Sequence, residues 1–123
     1  MPDATEVVRN FCAAWDARDQ QRILGAFTED GVYHNMPLEP AVGKAAIAAL
    51  LGVILAPASD VKFEIRHIAA AGDVVLTERI DRFVIGGKTV ELPVMGAFEV
   101  RDGKIAAWRD YFDMATWTKQ TSG

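Results

Sequence analysis

Residues 92–113, LPVMGAFEVRDGKIAAWRDYFD, carry two β-branched and aromatic-rich runs on either side of Asp102-Gly103. Asp-Gly between alternating apolar runs is a hairpin signal, because the tight turn needs residues that tolerate positive φ. The segment therefore reads as two antiparallel strands, Lys88–Arg101 and Lys104–Phe112. Side chains alternate across a strand, so Trp108, Asp110 and Phe112 point one way and Ala107, Arg109 and Tyr111 the other. An aspartate then stands between two large aromatics. A carboxylate placed so is paired, protonated or working, since an isolated buried charge costs too much to keep.

The same pattern extends towards the N-terminus. Asp73–Ile85 is a further run, joined to Lys88–Arg101 through Gly86-Gly87, and Val61–Ile68 precedes it across Ala71-Gly72-Asp73. A short strand, Val32–Met36, comes earlier still. Thr5–Asp19 has Val7, Val8, Phe11, Cys12, Ala14 and Trp15 at helical spacing, with Asp3 or Thr5 available as N-cap. Asp19–Phe27 repeats that spacing with Ile23, Leu24 and Phe27 until Glu29-Asp30-Gly31 breaks it. Lys44–Ala56 is Ala- and Leu-rich and stops before Pro57, a third helix despite Gly52. Everything beyond it reads as sheet. Helices first and strands after them predict an α+β class: a curved, mixed, largely antiparallel sheet folded over N-terminal helices and enclosing an apolar pocket.

The chain has 123 residues, half of them apolar, which predicts one domain over residues 1–123 with a single core. Its 17 acidic and 13 basic residues are interspersed, giving net charge −4 and no basic field to draw nucleic acid or anionic lipid. The acidic, polar start MPDATEVVRNF lacks the basic-then-apolar order of a leader, and no apolar run reaches spanning length, so the expectation is a cytoplasmic protein with no membrane partner. A lone Cys12 agrees with a reducing compartment. It falls on the apolar stripe of the first helix and reads as core. His34 and His67 have no metal-ligand spacing or cysteine neighbours, so no metal is expected. His67 reads as a core or pocket-wall residue. Ser59 and Ser122 sit in no nucleophile elbow, and no phosphate-cradling glycine loop occurs. Met36, Met95 and Met114 read as packing, with some at the pocket.

Alternation also groups the remaining polar residues. Tyr33 and Asn35 share a face, as do Val75, Thr77, Arg79, Asp81 and Phe83. Arg79 and Asp81 alone, two apart on a strand, are more often a rim ion pair on a solvated face. Asp110 shifts the weight towards a guanidinium and two aspartates converging in an apolar cavity. Such a cluster holding one shared proton is neutral and keeps an acid beside a base near neutral pH.

YHNMPLEPAVG (33–43), ERIDRF (78–83) and LPVMGAFEVRDGKIAAWRDYFD resemble, in order, the limonene-1,2-epoxide hydrolase family across nearly all the chain after the first helices. The resemblance implies a cystatin-like or nuclear-transport-factor-like cone fold, usually dimeric, with no cofactor or metal. It implies hydration of an epoxide to a vicinal diol in one step. Carried over by position, Asp110 resembles the family's base, Asp81 its acid and Arg79 the bridge between them. Tyr33 and Asn35 resemble the groups that hold the attacking water. An apolar epoxide is then the expected substrate, lined by Phe83, Leu92, Val94, Phe112 and Trp117, and the expected partners are that epoxide, water and a second copy of the chain. The same fold admits two other readings: an isomerase-like or polyketide-cyclase-like enzyme moving a proton at carbon, and a non-catalytic small-molecule binding module.

Overall fold

The computed structural model describes residues 3–122. Helices α1 (Ala4–Asp16) and α2 (Gln20–Gly25) come first, followed by strand β1 (Phe27–Asn35), the short β2 (Ala41–Val42) and α3 (Lys44–Leu55). Four long strands, β3 (Ala58–Ala71), β4 (Val74–Ile85), β5 (Lys88–Arg101) and β6 (Lys104–Tyr111), then lead into α4 (Met114–Thr121). The six strands form one sheet in the order β2-β1-β6-β5-β4-β3. All neighbours are antiparallel except β1 and β6, which run parallel. The α+β class and the mixed, largely antiparallel sheet are as predicted.

Local chemistry explains most of these elements. The Asp3 carboxylate accepts from the Glu6 amide at 2.9 Å and starts α1, whose apolar stripe, including Phe11, Cys12 and Trp15, is buried. Phe11 meets Trp108 edge-on at 4.8 Å, and Trp15 stacks on Phe63 at 4.9 Å. Burial of each such side chain contributes roughly 1.5–3 kcal/mol. The turns Gly86-Gly87 and Asp102-Gly103 have both residues at positive φ, as two-residue hairpins on twisted strands require. Along β4 the residues Val75, Thr77, Arg79, Asp81 and Phe83 are all buried, so the predicted alternation holds over the whole strand.

Several expectations need correction. The first helix ends at Asp16 rather than Asp19, and Asp19 instead caps α2 by accepting from the Arg22 amide. Helix α2 does end before Glu29-Asp30-Gly31, at Gly25, but the following strand β1 starts at Phe27 rather than Val32 and includes those three residues, with the ladder to β6 shifting register between Phe27 and Val32. A bulge absorbs the turn-like residues. Strand β3 is longer than Val61–Ile68, because its pairing with β4 continues to both ends. Not everything after α3 is sheet: Asp113 caps a last helix, α4, whose Gln120 amide bonds both the carbonyl and the amide of Glu91 on β5. His67 is neither core nor pocket wall. A register shift between Ile65 and His67 turns it to the outer face, opposite Glu78, whose carboxylate lies 2.6 Å from His67 Nδ1. Cys12 is buried in the core as expected. No helix among the described residues is long and apolar enough to cross a membrane.

Candidate active site

The concave face of the sheet encloses a cavity of about 240 Å³. Apart from the indoles of Trp15 and Trp117, its polar lining consists of Tyr33, Asn35, Asp81 and Asp110. The rest of the wall is aliphatic or aromatic. Phe83, Leu92, Val94, Phe112 and Trp117 all line it. Phe112 lies just past the end of β6, and Trp117 reaches the cavity from α4, where it meets Phe83 edge-on at 5.5 Å.

Register brings the polar groups together. In the parallel pair, Tyr33 is opposite Trp108 and Asn35 opposite Asp110. Tyr33 stacks on Trp108 at 4.1 Å with the rings 6° from parallel, and Phe98 stacks on the other side at 5.5 Å. This three-strand aromatic row fixes the neighbouring row that holds Asn35 and Asp110.

Arg79 is completely buried, and all five of its N–H groups are used. Its Nε and Nη2 donate to Asp81 at 2.9 and 2.7 Å, a bidentate grip. The second Nη2 hydrogen goes to Asp110 Oδ2 at 2.7 Å, while Nη1 donates to Asp110 Oδ1 at 3.2 Å and to Thr77 Oγ1 at 3.1 Å. The guanidinium carbon also lies 4.9 Å from the Phe63 ring centre. Asp110 Oδ1 receives a further bond from Trp108 Nε1 at 2.6 Å. One cation therefore fixes two buried carboxylates on separate strands. A single point ammonium has no such planar fork.

The electrostatics separate the groups. Burial raises the Asp81 carboxyl from 3.8 to about 6, against the attraction of Arg79 and with help from the Asp110 charge. Burial, then the Asp110 charge, pushes the Tyr33 phenol up, so it stays protonated and able to donate. Burial works against the Arg79 charge, yet the two aspartates hold it well above its ordinary value. Among the described residues no group of three or more His, Cys, Asp or Glu is placed to hold a metal ion.

Residues 2–122 match the family model of the limonene-1,2-epoxide hydrolase catalytic domain. The chain belongs to that family. It is an epoxide hydrolase, 38% identical over 109 residues to epoxide hydrolase EphG of Mycobacterium tuberculosis, with 87% of this chain and 71% of that protein covered. A solved M. tuberculosis LEH-like epoxide hydrolase superposes with a TM-score of 0.80 at 38% identity, covering 95% of this chain and 87% of that one. An NTF2-like protein of unknown function from Burkholderia pseudomallei has a TM-score of 0.88 at 16% identity over 100% of both chains, a likeness of fold alone.

Sequence reading missed some of what this family member builds its site from. The sequence presents Trp108 only as a large aromatic flanking Asp110, whereas its indole N–H donates to Asp110 Oδ1; its place two residues away on the same strand face is the available signal. Leu50, Val53 and Ile54 of α3 line the cavity. The signal there was a helix, KAAIAALLGVIL, that is apolar on every face although only Ile47 and Leu51 are buried. Gly96 is a further site component, and an isolated glycine inside a strand is the sequence signal of close approach by another group.

Proposed function

We propose that this epoxide hydrolase hydrates a compact apolar epoxide in one step, with Asp110 as general base, Asp81 as general acid, Arg79 bridging them, and Tyr33 and Asn35 positioning the water. The observation that carries the reading is the single guanidinium fork shared by two buried aspartates at the wall of an apolar cavity. Asp110 accepts from Arg79 twice and from Trp108 once, which supports the ionised state a base needs. Asp81, raised to about 6 by burial, is suited to keep a proton until the ring oxygen takes it.

The step balances without a covalent intermediate. Water oxygen attacks an epoxide carbon and gives its proton to Asp110 as the C–O bond breaks. The departing oxygen takes the Asp81 proton. The diol leaves with the pair's proton on Asp110, and transfer back to Asp81 resets the site. Tyr33 and Asn35 contribute by restricting the water to an attacking orientation, so that a chance encounter becomes a placed reactant. With so few polar groups in the wall, Phe83, Leu92, Val94, Phe112 and Trp117 select by shape. A volume below the roughly 300–1,000 Å³ usual for ligand pockets favours a compact substrate over a long-chain one. The exposed Leu76, Met95 and Tyr111, outward-facing on neighbouring strands, support a homodimer formed through the convex face of the sheet.

A single turnover in oxygen-18 water, with enzyme in excess over cyclohexene oxide, tests the mechanism. The expected product is diol carrying one labelled oxygen, with the protein mass unchanged. Unlabelled diol, or label in a peptide containing Asp81 or Asp110, would make a carboxylate the nucleophile.

A further inference from the structure

One row of inward-facing positions crosses four strands of the sheet. Asn35 on β1 is paired with Asp110 on β6, Asp110 with Gly96 on β5, and Gly96 with Thr77 on β4. Gly96 leaves a gap in that row. Arg79, two residues beyond Thr77 on β4, extends across the gap to reach Asp110. A Cβ at residue 96 would lie 2.5 Å from Arg79 Nη1 and 2.8 Å from both Asp110 Oδ1 and Thr77 Oγ1. Three polar atoms occupy the volume that a side chain would fill. Thr77 is buried, and it does not line the cavity.

We propose that Thr77, seated beside the Gly96 gap, is a positioning residue for the acid–base pair: its hydroxyl oxygen takes the fifth N–H of Arg79 and so limits the grip of the guanidinium on Asp110. The inference rests on the roles proposed above for Asp81 and Asp110. Bond lengths carry it. Of the four bonds from Arg79 to the carboxylates, the one from Nη1 to Asp110 Oδ1 is the longest, at 3.2 Å, and Nη1 is the nitrogen shared with Thr77. A carboxylate held more tightly by a cation is a weaker base. Without the Thr77 oxygen, Nη1 keeps Asp110 as its remaining acceptor and draws onto it. Asp81 is held through Nε and Nη2 and is not affected in this way.

The charged and titratable groups around the pair are Cys12 and Asp16 from α1, Tyr33 from β1 and Arg79 itself from β4. On the packed faces, β3 presents Phe63 to Arg79, and β5 presents Leu92, Val94, Gly96 and Phe98. Replacement of Thr77 by valine alters none of these charges. A changed pH profile in that variant therefore reports the redistributed bond rather than a lost ionisation.

The experiment measures kcat, KM and their pH dependence for cyclohexene oxide in the wild type, Thr77→Val, Thr77→Ser, Thr77→Cys and Asp110→Asn, with thermal melts of each. In Thr77→Val, kcat is expected to fall about twofold to threefold with KM unchanged, and the acid limb of the profile to move to lower pH by about half a unit, because a more tightly held base is weaker by that same half unit and protonates later. Thr77→Ser keeps the oxygen and should restore both. Thr77→Cys, a poorer acceptor, should shift the same way by less, which keeps the test available if the valine variant folds badly. A Thr77→Val protein that melts lower but keeps the wild-type limb, or a loss that serine does not restore, overturns the positioning role. Those results beside an inactive Asp110→Asn would leave the acid–base reading intact. An active Asp110→Asn would remove that reading and this inference together.

Discussion

Replacement of Arg79 by lysine keeps the charge and discards the fork. Arginine here gives five N–H bonds: two to Asp81, two to Asp110 and one to Thr77. Lysine has three hydrogens on one nitrogen, so at least two of the five are lost. Hydrogen bonds to charged groups contribute about 1.5–3 kcal/mol each, so the loss is roughly 3–6 kcal/mol. The site is fully buried and water cannot replace the missing donors cheaply. At about 4 °C per kcal/mol for a chain of this size, the melting temperature should fall by more than about 10 °C. Turnover should fall further than stability alone explains. The carboxylates would no longer be held at one spacing, and roughly 1.4 kcal/mol of lost transition-state stabilisation is already tenfold. Diol formation from cyclohexene oxide, measured at a temperature where the variant is folded, should drop by about two orders of magnitude or more. Activity within tenfold of the wild type, together with a melting temperature within about 3 °C, would show that charge rather than the planar fork is what this position needs.

Asp110→Asn and Asp81→Asn remove the base and the acid with little change of shape, and each should lower kcat by about 10²–10⁴-fold. The double variant should be scarcely worse than either single one, and additive losses in steady-state assays would mean that the two do not act as a unit. Stability should also depend on pH through Asp81. Its carboxyl is at 3.8 unfolded and about 6 folded, so the native state binds its proton more tightly; the stabilisation is fully present below about pH 4 and is lost as pH rises through about 6. That loss amounts to at most about 3 kcal/mol. Denaturant titrations between roughly pH 4 and 7 should show Asp81→Asn losing less stability with rising pH than the wild type, and parallel curves would contradict the raised value.

The side chains of the cluster were recognisable before the fold was. Alternation is a property of each strand alone, so the shared face of Arg79 and Asp81, the inward direction of Asp110 and the pairing of Tyr33 with Asn35 could all be read from spacing. The Asp-Gly and Gly-Gly turns did the same for the hairpins, since positive φ restricts which residues occupy them. Bulges defeat this logic. The one between Ile65 and His67 reversed the facing of His67, and the one in β1 accommodated Glu29-Asp30-Gly31 inside a strand; both depend on partner strands that local pattern does not specify. The short helix α4 was invisible for a related reason, because a weakly amphipathic segment is held by Asp113 at its start and by Gln120 docked on Glu91. Relations across strands belong to the tertiary structure. Parallel pairing of β1 with β6 sets Asn35 beside Asp110, and the bare backbone at Gly96 lets a guanidinium from β4 reach a carboxylate on β6. Burial then separates the groups chemically. The residue types state which protons can move, but the raised Asp81 carboxyl and the fully occupied Arg79 fork exist only once the sheet has closed over them, because both follow from the exclusion of water.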